Sequence, residues 1–141
     1  MNKNFDFSKV TLQVIDISMS GSPDIFVNQK NITFSKRLLE DMGYPGYVQY
    51  CIDPEQGVFA IRACKGNEAK AVPFSKPRNE QTTTLTCANK NIHDVVANFI
   101  PEYTTKKRYK LTGHYDSENK TMHFDLKEAT VTSLHKENSD E

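Results

Sequence analysis

Along residues 48–63, VQYCIDPEQGVFAIRA, apolar and polar side chains alternate twice about a turn. Pairing Asp53 with Val58 leaves PEQG as the loop. Ile52 then lies opposite Phe59, Tyr50 opposite Ile61 and Val48 opposite Ala63 on one face, while Gln49 meets Arg62 on the other. One register accommodates every apolar pair, which predicts a half-buried hairpin. KLTGHYDSENKTMHFDL repeats the pattern around SENK. The same loop length sets Asp116 opposite Thr121, Tyr115 opposite Met122, Gly113 opposite Phe124 and Leu111 opposite Leu126.

Upstream of each hairpin the period lengthens. Asp24–Val27 and Ile32–Phe34 read as strands about an NQKN turn. In SKRLLEDMG, Ser35 caps a short helix, Leu38, Leu39 and Met42 form its apolar face, and Gly43 stops it. In the second half, Leu85-Thr86 reads as strand and Ile92, Val95, Val96 and Phe99 as a helix face ended at Pro101. His93 falls near this helix start and reads as a surface residue. Val10–Ile17 is β-rich, and SMSGSPD behind it reads as a loop.

The two halves align in this register rather than by letters. Asp53 and Glu55 correspond to Asp116 and Glu118 at a constant shift of 63 residues, and Ile32-Thr33 to Leu85-Thr86 at a shift of 53. An insertion in the second helix accounts for the difference. We read a diverged duplication of a strand–helix–hairpin unit, with residues 1–70 as the first unit, 71–130 as the second and 131–141 as a flexible tail. The literal triplet FSK, at residues 7, 34 and 74, is not the repeat.

Composition narrows the function. The chain has 18 basic and 18 acidic residues among 141, so net charge does not announce a nucleic-acid binder. Positive charge is nevertheless clustered. Residues 28–37 hold Lys30, Lys36 and Arg37 with no acid, and TTKKRYK holds Lys106, Lys107, Arg108 and Lys110 with none. Lys90 is the counterpart in the second half. Alternation puts Lys106, Arg108 and Lys110 on one side of an extended segment, a spacing that suits phosphate contact. Arg78, Asn79 and Gln81 lie in a polar linker that reaches a groove or merely joins the halves. Tyr44, Tyr47 and Tyr50 read as packing between the units.

Catalytic signatures are absent. The acids fall mostly in turns, and no phosphate-binding glycine loop is present. Cys51, Cys64 and Cys87 form no CxxC and read as free, part-buried thiols. His114 and His123 face each other across the second hairpin with Thr112 and Asp125 beside them. Zinc needs three or four protein ligands, so we assign no metal and no cofactor. The N-terminus has no apolar core of a secretory signal and no run is long enough to span a membrane, so the expected location is cytoplasmic.

The stretch Ile32-Thr33-Phe34-Ser35-Lys36-Arg37-Leu38-Leu39-Glu40-Asp41-Met42-Gly43, preceded by the hairpin DIFVNQKNITF and followed by a twisted hairpin, resembles the swapped-hairpin DNA-binding domain of the SpoVT/AbrB superfamily. Met42-Gly43 stands where that family ends its helix with Leu-Gly. Two such units in one chain resemble the MraZ branch. The resemblance implies a mixed α+β, β-rich fold in which two diverged units form an interleaved pseudo-dimeric barrel, further assembled as a homo-oligomer. It implies a bacterial or phage-type, non-enzymatic transcriptional regulator binding duplex DNA through Lys30, Lys36, Arg37, Lys90, Lys106, Lys107, Arg108 and Lys110. The alternative is a protein-interaction module, antitoxin-like or a mobile-element accessory protein, without DNA binding. Zero net charge favours it, as does Lys30-Asn31 in place of the family's Gly-Arg pair.

Overall fold

The structure, a computed structural model, describes residues 7–12, 21–81 and 84–132. Ten strands and two α-helices follow in the order β1 (Asp24–Val27), β2 (Ile32–Phe34), α1 (Lys36–Met42), β3 (Tyr47–Asp53), β4 (Val58–Cys64), β5 (Val72–Pro73), β6 (Leu85–Cys87), α2 (Lys90–Asn98), β7 (Arg108–Thr112), β8 (His114–Asp116), β9 (Thr121–Asp125) and β10 (Thr130–Thr132). They form two five-stranded antiparallel sheets, ordered β10-β7-β1-β2-β6 and β5-β3-β4-β9-β8. Each sheet takes strands from both halves of the chain. The fold is thus mixed α+β and strand-rich as expected, but the described strands make two open sheets and no closed barrel.

The first hairpin forms in the expected register, from Val48↔Ala63 to Asp53↔Val58. Its loop is built by Asp53, whose carboxylate accepts from the backbone N–H groups of Glu55 and Gln56, and by Gly57 at φ +67°. The SENK loop repeats this device. Asp116 accepts from Asn119, and Lys120 takes the left-handed conformation at φ +53°, 63 residues after Gly57.

The second hairpin keeps its expected register only near the loop, as Tyr115↔Met122 and Asp116↔Thr121, with His114↔His123 also paired. At Gly113 the chain leaves this sheet. Leu111 pairs with Ile25 rather than Leu126, and Thr112 pairs with Asp24 rather than Asp125. The reason is space and burial. A Cβ on Gly113 would lie 2.7 Å from Met122 Sδ and 2.8 Å from Phe124, and the Gly113 N–H donates to the Pro23 carbonyl. Tyr109 and Leu111 meanwhile bury beside Ile25 and Val27, and Leu126 buries from a 3-10 turn, Leu126–Glu128.

Period-two alternation presses the inner faces together. Ile25, Val27, Ile32, Phe34, Tyr109 and Leu111 come from the first sheet; Val48, Phe59, Ile61, Met122 and Phe124 come from the second. Tyr50 joins the two sheets, stacked on Phe34 and Phe59 and edge-on to Phe74. Burial, then the Cys87 thiol beside it, raises the Tyr50 hydroxyl above its ordinary value. Tyr44 instead donates to Glu40, and Tyr47 is exposed.

α1 carries its expected caps. The Ser35 hydroxyl oxygen accepts from Leu38 N and Asp24 N, and Gly43 closes the helix at φ +75°. α2 is rotated from the expected face: His93, Val96 and Ala97 are buried, whereas Val95 is exposed. His93 is therefore no surface residue. Residues 75–81 are anchored by buried Ser75 and Gln81, with Ser75 Oγ donating to the Pro45 carbonyl and Gln81 Oε1 accepting from Lys76 N. Val10–Leu12 form no strand, and the rest of the expected strand, residues 13–17, lies outside the described residues, as do residues 133–141 of the expected tail. Val131 and Thr132, assigned to that tail, belong to β10. No helix among the described residues is long and apolar enough to cross a membrane.

Two substitutions test this account. Gly113→Ala is expected to cost about 1–3 kcal/mol by overpacking the sheet-to-sheet crossing. Ser35→Ala should cost about 1–2 kcal/mol through the lost cap. Both are read as shifts in a urea unfolding midpoint; wild-type stability in Gly113→Ala would contradict the close approach.

Candidate nucleic-acid interface

The turn between β1 and β2 is closed by its asparagines. Asn28 N–H donates to the Asn31 carbonyl, and Asn28 Nδ2 donates to Asn31 Oδ1 and Thr33 Oγ1. This leaves Gln29 and Lys30 exposed at the tip. Beside it runs the 104–107 turn that feeds β7. Its anchor is buried Tyr109, whose hydroxyl accepts from Thr104 N and donates to the Glu102 carbonyl. Thr104 Oγ1 accepts from Lys106 N, which leaves the Lys106 and Lys107 side chains in solvent.

The antiparallel register sets these two turns side by side. Val27 pairs with Tyr109, so Asn28 and Arg108 follow as neighbours, and Arg108 Nε donates to Asn28 Oδ1 at 2.9 Å. The guanidinium also lies 4.2 Å from the centre of the Phe26 ring, a cation–π contact. Arg108 and Lys110 alternate outward as expected, whereas Lys106 sits in the turn before the strand.

α2 forms the facing wall. Asn89 caps it, accepting from Ile92 N, and Lys90, His93, Asp94, Ala97 and Asn98 recur at helical spacing on the side toward the turns. His93 Nε2 lies 2.7 Å from the Asn28 carbonyl, and Nδ1 lies 3.1 Å from Asp94 Oδ1. Tyr103 Oη is 3.3 Å from both the Asn28 carbonyl and His93 Nε2. Lys90 pairs with Asp94, and the Asp94 carboxyl is held below the usual carboxylate range by Lys90 first and His93 second. Burial raises the Tyr103 hydroxyl, with Tyr109 and Asp94 adding to the effect. Between these parts lies an open concavity of about 860 Å³, reached by Lys30, Lys90, Thr105 and Tyr103.

The eight sequence-nominated cations therefore divide. Lys30, Lys90, Lys106, Lys107 and Arg108 gather around this concavity and the turn beside it. Lys36 and Arg37 sit at the opposite end of the β1–β2 hairpin, about 13 Å away along a strand of this length. There Arg37 pairs with Asp41 and donates to the Gly21 carbonyl. Lys110, midway, approaches Asp24 at 3.9 Å. Among the described residues, Lys30, Lys36, Lys106 and Lys107 make no ion pair. Arg78 pairs with Glu40 and does not line the concavity.

His93, Tyr103 and Asn28 escape the sequence reading. His93 had a usable signal, since it falls on the same helical stripe as Val96 and Ala97. Asn28 had none, because His93 and Arg108 lie 65 and 80 positions away. On the second sheet His114 and His123 do face each other, but Thr112 and Asp125 do not pair, and the described residues contain no group of three metal-ligating side chains. Cys51, Cys64 and Cys87 are free thiols, each partly buried.

Asn28→Ala is expected to cost about 1–3 kcal/mol and to speed amide exchange in the 104–107 turn, because it strips partners from Arg108, Asn31 and Thr33. Acid should also destabilise the protein. Asp94 is lowered as described, Asp116 by the Asn119 side-chain amide and N–H, and Asp125 by Lys127. A lowered folded value contributes stability above the unfolded carboxylate value of about 4, lost as pH falls through the folded values. The melting temperature should therefore drop below about pH 4, and the drop should shrink in a triple Asp→Asn variant at these positions.

No protein-family model, curated protein or solved structure matches this chain.

Proposed function

We propose that this protein is a non-enzymatic regulator that binds duplex DNA through the lysine end of its first sheet. Lys30, Lys90, Lys106 and Lys107 contact phosphates, and Arg108 stiffens the turn beneath them. The observation that carries this reading is the β1–β7 register, which brings two acid-free basic turns from distant parts of the chain to one end of the first sheet. Asp94 is the acid of the facing wall, and it is already paired with Lys90.

The register between the two halves supports the swapped-hairpin, pseudo-dimeric part of the proposal. Where two equivalent strands meet across a two-fold axis, the central residue pairs with its own counterpart. In the β2–β6 pair Thr33 faces Thr86, 53 residues on, which is the shift that aligns those segments. In the β4–β9 pair Ala60 faces His123, 63 residues on, which is the shift between the hairpins. Both contacts are those expected of two diverged units about one approximate axis. Such a unit is too small to hold a core alone, and sharing sheets resolves that. The same argument favours a homo-oligomer built on the remaining sheet edges.

Fluorescence anisotropy with a labelled duplex tests the reading. Four phosphate contacts predict a slope of log affinity against log salt near −3 to −4, using about −0.9 per contact. The Lys30→Glu, Lys106→Glu, Lys107→Glu variant should lose at least about tenfold in affinity and flatten that slope, whereas Lys36→Glu should bind like wild type. Absence of salt-sensitive binding at micromolar protein would end the DNA reading. A protein partner retained through purification, with indifference to polyanions, would instead establish the interaction-module alternative that zero net charge favours.

A further inference from the structure

The concavity beside α2 is larger and chemically more varied than phosphate contact requires. Phosphates lie on a duplex surface and are reached by exposed lysines without any cavity. A volume of about 860 Å³ instead falls in the range of small-molecule pockets. We propose that it is a nucleoside-monophosphate pocket, which admits one unpaired base while Lys30 and Lys90 hold its phosphate at the rim. The inference rests on the nucleic-acid reading above and adds what that reading lacks, a place for a base.

The lining suits a flat, polar-edged ring. Ala88, Ala97 and Ile100 give an apolar floor, and the two alanines leave room that longer side chains would fill. Tyr103 supplies an aromatic wall, and base–aromatic contact is tolerant of base identity. Gln29 from the β1–β2 turn and Asn98 from the end of α2 add side-chain amides that make no hydrogen bond among the described residues. Each amide carries both donors and an acceptor, the complement of a base edge. Thr105 adds a hydroxyl on the side of the 104–107 turn.

The wall is also pre-set. His93 is 4% exposed, and both it and Tyr103 converge on the Asn28 carbonyl, so helix, loop and hairpin turn are tied at one atom. Such pre-organisation lowers the ordering cost of binding. Asp94, the acid of the lining, is compensated by Lys90 and so opposes an incoming phosphate less than a free carboxylate would.

The experiment has two arms on the full chain. In the first, a blunt duplex is compared by anisotropy with the same duplex carrying a three-nucleotide gap. The gapped form should bind about tenfold more tightly, the worth of one stacked base. The Gln29→Ala, Asn98→Ala double variant should bring the ratio of the two affinities toward one. In the second arm, adenosine monophosphate is titrated against amide resonances, with inorganic phosphate as control. Shifts at Gln29, Lys90 and Asn98 with the nucleotide but not with phosphate support the pocket. Shifts with the free nucleotide but no binding to any polymer also support it, while ending the nucleic-acid reading. Equal affinity for blunt and gapped duplex, together with no nucleotide-induced shifts, overturns the pocket and leaves duplex binding standing. Silence in both arms removes both.

Discussion

The chain passes straight from a strand of one sheet to a strand of the other at a single residue, Gly113. Its other crossings fall between β2 and β3, between β5 and β6, and between β9 and β10. Thr112 is paired in the first sheet and His114 in the second, so the residue between them lies where the two sheets are closest. Met122 and Phe124 occupy the space a side chain would need. The absent Cβ lets the inner faces close and releases β7 to pair with β1. Had β7 stayed in line with β8, as a continuous hairpin with β9, Lys106 and Lys107 would have ended on the other sheet.

Once β7 lies beside β1, Asn28 organises the lysine end. Its N–H, carbonyl, Oδ1 and Nδ2 all have partners, drawn from the β1–β2 turn, β2, β7, α2 and the loop after α2. A partly buried amide with every group engaged fixes orientation as well as stability. The two lysine turns are presented by local devices, the Asn28–Asn31 closure and the Thr104–Tyr109 clasp. Their nearness to each other and to α2 is set by Asn28 and by strand register. Charge is therefore exposed on a scaffold stiff enough to hold a concave shape beside it.

Much of this architecture was legible in the sequence because it depends on neighbours. The 48–63 hairpin register, the Ser35 and Gly43 caps and the Asp53 and Asp116 turns follow from alternation and from side chains bonding backbone two or three residues away. The buried face of α2 differs from the expected one for a physical reason. Val95 lies about 160° round the helix from His93, and hydrophobicity alone places the inward face on the side of the valine. A histidine with a polar partner beside each ring nitrogen is cheaper to bury than its hydropathy suggests. The barrel failed because closing a sheet depends on which edges meet, and edges carry no local signature.

The sequence by itself determined the 48–63 hairpin, the caps of α1, the approximate place of α2 and the existence of two acid-free basic runs. Each rests on interactions between residues close in the chain or on one repeated spacing. Tertiary structure alone decided that Gly113 breaks the second hairpin and that His93 turns inward. It also decided that Lys30 joins Lys106 and Lys107 while Lys36 and Arg37 face the other end. Those outcomes depend on steric space and on partners up to 80 residues apart, where no periodicity in the chain can point.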